Sequence, residues 1–245
     1  MRVYPHDVIG APIYVNGMFE PSECKFVMKF LKPGMVFFDV GANLGQYTLL
    51  AAQRVGREGQ VHSFEPSTRM FTELKYNVEI NGLSSICILN KVALSKDEGT
   101  ARLSVYEPGA EVYGSLGTQD WPINASVVGY EDVEVITLDK YIRAHNIRNV
   151  DLIKMDIEGA ELLAIQGAYE FLRQSDGPTI VLEMADVNTD GFGYKAIETW
   201  DYLENIGYRM YCFDKNGNIS SRAMRPLDFT EANNLVAMKG SKVLT

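Results

Sequence analysis

The stretch VFFDVGANLGQYT, residues 36–48, decides the fold of this chain. Its apolar start, 36–38, predicts a buried strand that ends at Asp39, and a helical pattern begins at Tyr47. Three small residues form the turn between them: Gly41, Ala42 and Gly45. A glycine turn that leads into a helix lets a ligand approach the backbone closely and offers it unpaired N–H groups. The stretch therefore predicts the ligand-binding edge of a doubly wound α/β sheet.

The spacing of the turn indicates which cofactor binds there. A dinucleotide-binding turn reads G-x-G-x-x-G, whereas this one reads Asp39-x-Gly41-x-x-x-Gly45, with an acid before the first glycine. That acid repels a pyrophosphate and attracts the amino group of a methionine-derived cofactor. Glu65 follows the apolar run 61–64, at the position of a ribose-binding carboxylate. We therefore expect S-adenosylmethionine rather than NAD or ATP; the alternative is an ordinary turn whose glycines serve packing.

Composition narrows the class of protein. The 245 residues carry a net charge of −9, which disfavours a general nucleic-acid surface. Three scattered cysteines lack the spacing of a zinc site or a disulfide framework and suit a reducing cytoplasm: Cys24, Cys87 and Cys212. No run approaches the ~20 apolar residues of a membrane span. We expect a cytoplasmic protein that acts on a small molecule and has no nucleic-acid or membrane partner. The protein could form a homo-oligomer.

The chain has no repeat or linker, so a single domain, 1–245, is the simplest organisation. A lead segment and helix, 1–33, precede a core, 34–240, in which 107–130 has few apolar runs and is expected to form a lid or acceptor loop. In the lead segment we predict a strand at 13–15 and a helix at 23–31 capped by Ser22. Further strands are predicted at 86–90, 100–106, 133–138, 151–156, 179–183, 207–213 and 235–238, and further helices at 68–80, 159–172 and 197–206.

Carboxylates stand at the ends of four predicted strands: Asp39, Glu65, Asp156 and Glu183. The carboxyl ends of parallel strands meet at one edge, where four acids repel each other unless a cation or hydrogen-bond donors lie among them. S-adenosylmethionine supplies an ammonium, a sulfonium and two ribose hydroxyls. The alternative is that each acid caps the following helix, which fits Asp156 better than Glu65. Glu161 could be only structural, because an acid in the first turn favours the helix dipole.

Proton transfer at this edge has several candidates. Asp156 ends the central strand and is expected nearest the reacting centre, with Glu158 and Glu183 as further candidates for the general base. Asp156 and Glu183 could instead hold a divalent metal, which we rank below direct acid–base action. Lys154 is expected to pair with a neighbouring acid, because a lysine in an apolar strand is rarely buried alone. The weaker candidates are the histidines: His6, His62 and His145.

Several blocks in the right order resemble the FkbM family of S-adenosylmethionine-dependent methyltransferases. They are FFDVGANLGQYT, FEPS at 64–67, NKVALS at 90–95, VITLDKY at 135–141, DLIKMDIEGAE at 151–161 and IVLE at 180–183. The resemblance implies a Rossmann-like class I methyltransferase fold, a mostly parallel twisted sheet with helices on both faces, and O-methylation of small molecules or sugars. Family members often carry a histidine shortly after the acid of the fifth strand; here Met184-Ala185-Asp186 follows Glu183.

The resemblance also implies roles by position. The methionine part of the cofactor would meet Asp39, Gly41, Asn43 and Gly45, bordered by Gln46, Tyr47 and Thr48. The ribose would meet Glu65, and the adenine would meet Pro66, Ser67, Ala93 and Leu94. The methyl group and the acceptor would lie beside Asp156 and Glu158.

The acceptor pocket is expected to use aromatic residues in or beside loops: Tyr14, Phe19, Tyr106, Tyr113, Trp121 and Tyr130. Such residues could equally form small cores under the loops. Three other functions stay open: an N-methyltransferase on a natural-product amine, a non-catalytic adenosyl-binding subunit, and an NAD-dependent oxidoreductase, which the turn spacing disfavours.

Overall fold

The computed structural model describes residues 1–117 and 126–240, in which an α/β core carries a small second sheet. The strands are β1 (Val36–Val40), β2 (Gln60–Phe64), β3 (Cys87–Asn90), β4 (Ala93–Leu94), β5 (Gly99–Tyr106), β6 (Val127–Ile136), β7 (Leu152–Met155), β8 (Thr179–Met184), β9 (Arg209–Phe213), β10 (Ile219–Arg222) and β11 (Asn233–Met238). The helices are α1 (Gly10–Asn16), α2 (Pro21–Phe30), α3 (Gln46–Val55), α4 (Thr68–Ile80), α5 (Leu138–Ala144), α6 (Glu161–Gln166), α7 (Tyr169–Leu172), α8 (Asp186–Thr189) and α9 (Ala196–Asn205).

The main sheet has the strand order β10-β9-β11-β8-β7-β1-β2-β3. Its strands β3, β2, β1, β7 and β8 pair in parallel, whereas β11 is antiparallel to both β8 and β9. The small sheet has the order β4-β6-β5. The parallel strands bring the segments that follow β1, β2 and β7 to one edge, so the predicted ligand edge has a physical basis.

Strand β1 shows how the main sheet is covered on both faces. Phe37 packs in a cluster with residues of α2, α3 and α4, whereas Phe38 packs in a second cluster with residues of α5, α7 and α9. Leu152 and Ile153 of β7 divide in the same way. Successive strand side chains point to opposite faces, so a parallel strand with helices on both sides reads as a continuous apolar run. The predicted α/β architecture is confirmed.

The lead segment corrects two predictions. Residues 13–15 are part of helix α1, and Gly17 ends that helix in a left-handed conformation by donating its N–H to the carbonyl of Ile13. The Asn16-Gly17 pair is therefore a helix end and not a hairpin turn. Helix α2 begins at Pro21, one residue before the predicted cap Ser22, because proline suits the first helical position.

Two other differences from prediction exceed a shift of one or two residues. The segment predicted as one helix at 159–172 is split into α6 and α7, since Asp139 accepts hydrogen bonds from the N–H groups of Glu170 and Phe171 and so caps a new helix start. The strand predicted at 133–138 begins at Val127 and ends at Ile136, so the predicted loop ends earlier than 130. Four short elements were not predicted: α5, α8, β4 and β10.

Among the described residues, no helix is both long enough and apolar enough to cross a membrane.

Candidate active site

The turn between β1 and α3 is glycine-rich because the protein itself crowds it. Gly41 has φ +81°, and a Cβ on it would lie 1.8 Å from the carbonyl oxygen of Asp156. Gly45 has φ +95°, and a Cβ there would lie 2.7 Å from Cδ1 of Leu74. Packing therefore explains both glycines. It also presses the turn against the end of β7, which puts Asp156 beside it.

The turn forms the floor of a cavity of about 260 Å³ at the carboxyl edge of the main sheet. The lead segment, the small sheet and the segment after β5 supply its other walls. Most predicted site residues line it: Gly41, Ala42, Asn43, Gln46, Tyr47, Glu65, Pro66, Ser67, Ala93, Leu94, Asp156 and Glu158. Four predicted site residues do not line it: Asp39, Gly45, Thr48 and Glu183.

Asp39 lies beneath the turn and is fully buried. Its Oδ2 accepts a hydrogen bond of 2.6 Å from Oγ1 of Thr48, while its Oδ1 has no partner within the described part of the chain. Burial raises the pKa of Asp39, against the influence of Lys154. The chain's own Thr48 thus uses one oxygen of the carboxylate, and contact with a ligand's amino group stays a prediction.

Glu65 reaches the cavity from the end of β2. Its Oε2 accepts from the N–H of Asn43 at 2.8 Å, and its Oε1 accepts from the N–H of Ser67 at 2.9 Å. Burial raises the pKa of Glu65 to about 7, although both backbone donors lower it. The two N–H groups fix the carboxylate at the cavity wall, where ribose hydroxyls could donate to its remaining lone pairs.

The wall beside Glu65 is apolar. Ala93 and Leu94 form β4 and are almost fully buried, and Leu103 of β5 lies in the same wall. Ser67 caps α4 by accepting from the N–H of Met70. Such a surface next to Glu65 suits a planar, apolar base such as adenine.

The opposite end of the cavity contains an ion pair. Nζ of Lys154 lies 2.8 Å from Oδ2 of Asp156, as the sequence predicted, and also 4.7 Å above the ring of Tyr47. Burial lowers the pKa of Lys154, but Asp156, Glu20 and Asp39 outweigh it and raise the pKa overall. Lys154 therefore stays charged and holds Asp156 at the cavity.

Two further carboxylates share one donor behind this ion pair. The side-chain amide of the buried Asn188 donates to Oε2 of Glu183 at 2.9 Å and to Oε2 of Glu158 at 3.3 Å. Burial and then Asp156 raise the pKa of Glu183 to about 8, and burial followed by Asp156 and Glu183 raises that of Glu158. Glu158 lines the cavity, whereas Glu183 does not.

Glu161 has a structural role. Its Oε1 accepts hydrogen bonds from the N–H groups of Ile157 and Gly159, so it closes the turn that leads into α6. Burial raises its pKa to about 7.

Sequence reasoning did not identify three groups around the cavity. Glu20 lines it from the lead segment, and Arg69 forms an ion pair with Glu111 in its wall. Asn188 orients Glu158 and Glu183. Glu20 directly precedes Pro21, and a proline that marks a helix start is a signal that the sequence does offer. The positions of Arg69 and Asn188 depend on packing between distant segments.

The histidines lie away from the cavity lining. His62 is buried and its Nδ1 is 2.8 Å from the hydroxyl of Tyr141; burial lowers its pKa to about 4. His145 is exposed and packs its ring on Tyr141, and His6 is exposed. None is therefore placed to act on a ligand in the cavity.

The predicted acceptor aromatics divide into three groups. Phe19 and Tyr106 line the cavity, and Tyr113 packs edge-on against Tyr106. Tyr14 and Tyr130 are exposed. Trp121 and the middle of the predicted lid, 118–125, lie outside the described residues.

The charges of the lining suit a cationic ligand such as S-adenosylmethionine. Arg69 and Lys154 are its basic residues among those described, and each is ion-paired with an acid of the same lining. Further carboxylates beyond those two pairs also line it: Glu20, Glu65 and Glu158. In residues 1–117 and 126–240 no group of three or more His, Cys, Asp or Glu could hold a metal ion.

Comparisons with known proteins identify the family of this chain. Residues 39–210 match the methyltransferase FkbM domain. The chain is 28% identical over 182 residues to the 31-O-demethyl-FK506 methyltransferase FkbM of Streptomyces tacrolimicus, covering 64% of this chain and 67% of that one. It is 25% identical over 142 residues to Methyltransferase 1 of Beauveria bassiana, covering 53% of this chain and 56% of that one.

The fold has a solved counterpart. The crystal structure of a proposed rRNA-methylase from Clostridium thermocellum superposes with a TM-score of 0.51 at 14% identity, covering 88% of this chain and 94% of that one. This similarity concerns the fold alone and confirms the Rossmann-like prediction. With the family match spanning most of the chain, the protein belongs to the methyltransferase FkbM domain family and is an S-adenosylmethionine-dependent methyltransferase.

Proposed function

We propose that this enzyme transfers the methyl group of S-adenosylmethionine to a hydroxyl of a small molecule, a natural product or a sugar. One observation carries the proposal: Glu65 and the Asp156–Glu158 segment line the same cavity on either side of the glycine turn. They follow β2 and β7, which flank β1, so they are separated by two strand spacings, about 10 Å. The name of the Streptomyces relative, which refers to a 31-O-demethyl substrate, favours oxygen as the acceptor atom.

The cofactor would supply an electrophilic methyl group on a positively charged sulfur. The chain's own contribution is then to bind, orient and exclude water, and such positioning can contribute ~7–11 kcal/mol. Glu65 would hold the ribose, and the wall of Ala93, Leu94 and Leu103 would hold the base. Lys154 would keep Asp156 oriented toward the reacting end.

A hydroxyl acceptor must lose its proton as it attacks, and Glu158 is the best-placed base. It lines the cavity, and Asn188 links it to Glu183, whose pKa burial raises to about 8. A carboxylate whose pKa is raised is a stronger base, once it is ionised, than an ordinary carboxylate. Asp156 is occupied by Lys154 and is better suited to orientation.

An amine acceptor is the second candidate. The additional carboxylates of the lining, Glu20 and Glu158, would attract an ammonium group more strongly than a neutral alcohol. A role as a non-catalytic adenosyl-binding subunit has less support, because such a protein needs no carboxyl pair beside the methyl group.

Binding and transfer can be tested separately. Calorimetry should show that S-adenosylmethionine and S-adenosylhomocysteine bind while NADH does not, and that Glu65→Ala weakens both by roughly ten- to hundredfold. A panel of alcohols and amines with methyl-labelled cofactor then identifies the acceptor atom. Binding of NADH alone would refute the proposal, and labelling of amines only would favour the second candidate.

A further inference from the structure

Glu20 is a carboxylate of the cavity that neither the motifs nor the proposed transfer to a hydroxyl uses. It stands between α1 and α2, where the lead segment turns into the molecule. Its backbone has φ 49° and ψ 66°, a left-handed conformation that is unusual for a residue other than glycine. Its side chain is half-buried and lines the cavity.

The backbone beside Glu20 is fixed to helix α3. The N–H of Phe19 donates to Oε1 of Gln46 at 2.7 Å, and Nε2 of Gln46 donates back to the carbonyl of Phe19 at 3.0 Å. Gln46 is the first residue of α3, directly after the glycine turn. The lead segment is therefore held at the part of the cavity where the methionine end of the cofactor is expected.

The carboxylate of Glu20 has neutral hydrogen-bond partners. Its Oε2 accepts from the hydroxyl of Tyr47 at 2.7 Å, and its Oε1 accepts from the amide of Asn234 at 3.2 Å. Lys154, the positive charge that acts on it, is ion-paired with Asp156. Burial raises the pKa of Glu20, so its ionised form gains from a positive charge in the cavity.

We propose that Glu20 recognises the positive charge of the cofactor's methionine end, its ammonium or its sulfonium. This inference rests on the proposed function, because it places that end of the cofactor beside Tyr47 and Asp156. It gives the lead segment a role: the segment adds an anionic contact to those of the core residues Asp156 and Glu158, which line the same cavity. A half-buried carboxylate with neutral partners attracts a cation more strongly than an exposed one does.

The test compares charged and uncharged ligands on the cofactor-free protein. Glu20→Gln keeps the shape and an acceptor oxygen for Tyr47 but removes the charge. By calorimetry it should weaken S-adenosylmethionine by about tenfold or more while leaving 5′-methylthioadenosine, an uncharged nucleoside, within about twofold. Glu20→Asp keeps the charge and should recover part of the lost affinity.

Glu23→Gln is the matched control. Glu23 lies in the first turn of α2, just after Glu20, and also accepts from Asn234, at 3.0 Å, but it does not line the cavity. The Glu23→Gln variant should bind S-adenosylmethionine and 5′-methylthioadenosine within about twofold of the unmodified protein. S-adenosylhomocysteine, which has the ammonium but not the sulfonium, shows which charge is contacted: a loss equal to that of S-adenosylmethionine assigns the ammonium, and no loss assigns the sulfonium.

Other results would overturn the inference. Unchanged binding of S-adenosylmethionine by Glu20→Gln, or an equal loss for the uncharged nucleoside, would show that the charge of Glu20 is not used. If the unmodified protein binds none of these adenosyl ligands, the proposed function itself fails, so the two failures are distinguishable.

Discussion

Backbone conformations that L-residues rarely adopt are concentrated around the cavity. Four residues other than glycine have a positive φ within the described ranges: Glu20, Asn43, Asn146 and Glu158. All but Asn146 line the cavity. Such conformations cost of the order of 1–3 kcal/mol each and persist only where the surrounding structure enforces them. Here Gln46 binds the N–H of Phe19, next to Glu20, and Glu65 binds the N–H of Asn43. Asn188 binds the side chain of Glu158.

Gly41→Ala tests the close contact between the turn and β7. A Cβ would lie 1.8 Å from the carbonyl oxygen of Asp156, and alanine tolerates φ +81° poorly. We expect a loss of about 3 kcal/mol in the free energy of unfolding, measured by urea denaturation. Gly129→Ala is the control, because a Cβ there meets nothing within 4 Å; equal stability of the two variants would contradict this account of the turn.

Asn188→Ala tests the shared donor of the carboxyl pair. Without the amide, the ionised forms of Glu158 and Glu183 lose a hydrogen bond, so their pKa values should rise further, by roughly one to two units. Titration of ¹³C-labelled glutamate carboxyls by NMR, in the absence of cofactor, measures the shift directly. With activity as the readout, the acidic limb of the rate profile should move to higher pH. A fall in rate without such a shift would indicate only a packing role for Asn188.

At the scale of elements, the small sheet and the segment after β5 enclose the cavity as a wall. Arg69 of α4 forms an ion pair with Glu111 of the short 3₁₀ turn Glu111–Tyr113 and so holds that segment to helix α4. Glu111 is largely buried, with 8% of its side chain exposed. A buried carboxylate that loses its partner is costly, and moving the segment into water is the easier response.

Arg69→Ala should therefore loosen the segment at 107–116 and leave the main sheet intact. Hydrogen exchange followed by mass spectrometry should show faster exchange at the amides of Ala110 and Tyr113, which bond to neighbouring carbonyls in the native protein. Lys75→Ala is the control on the same helix, because its pair with Glu79 is exposed and long, at 4.0 Å. Faster exchange throughout the protein would mean general destabilisation and not release of this wall.

An element could be predicted from the sequence when the contacts that form it join residues close together in the chain. The strand–turn–helix at 36–48 and the helix capped by Ser67 depend on neighbours in the sequence, and both were predicted correctly. Helix α1 and the break between α6 and α7 were predicted wrongly. The break depends on Asp139, which is remote in sequence from the helix it interrupts.

The same distinction applies to the site. Motif spacing placed Glu65, Asp156 and Glu158 correctly at one cavity, because the edge of a parallel sheet brings such residues together. It did not find Glu20 or Asn188. Their positions are set by contacts with segments 27 and 30 or more residues away, which a single sequence does not reveal.

At the scale of the whole molecule, acids buried in and near the cavity wall oppose folding when they ionise. Burial raises the pKa of Glu65 and Glu161 to about 7 and that of Glu183 to about 8. An acid whose pKa is higher in the folded state binds its proton more tightly there. The stability that it contributes is fully present below its unfolded pKa and is lost as the pH rises through its folded pKa.

Glu65 gives the sharpest form of this prediction, because its pKa rises from 4.5 to about 7 and its side chain is almost fully buried. We compare the free energy of unfolding of the cofactor-free protein with that of its Glu65→Gln variant. The first value minus the second should fall by roughly 2–3 kcal/mol between pH 5 and pH 8. Denaturant unfolding at several pH values measures this difference. A difference for Glu65 that rises with pH would mean that the N–H groups of Asn43 and Ser67 outweigh burial, so that the carboxylate is ionised before any ligand binds.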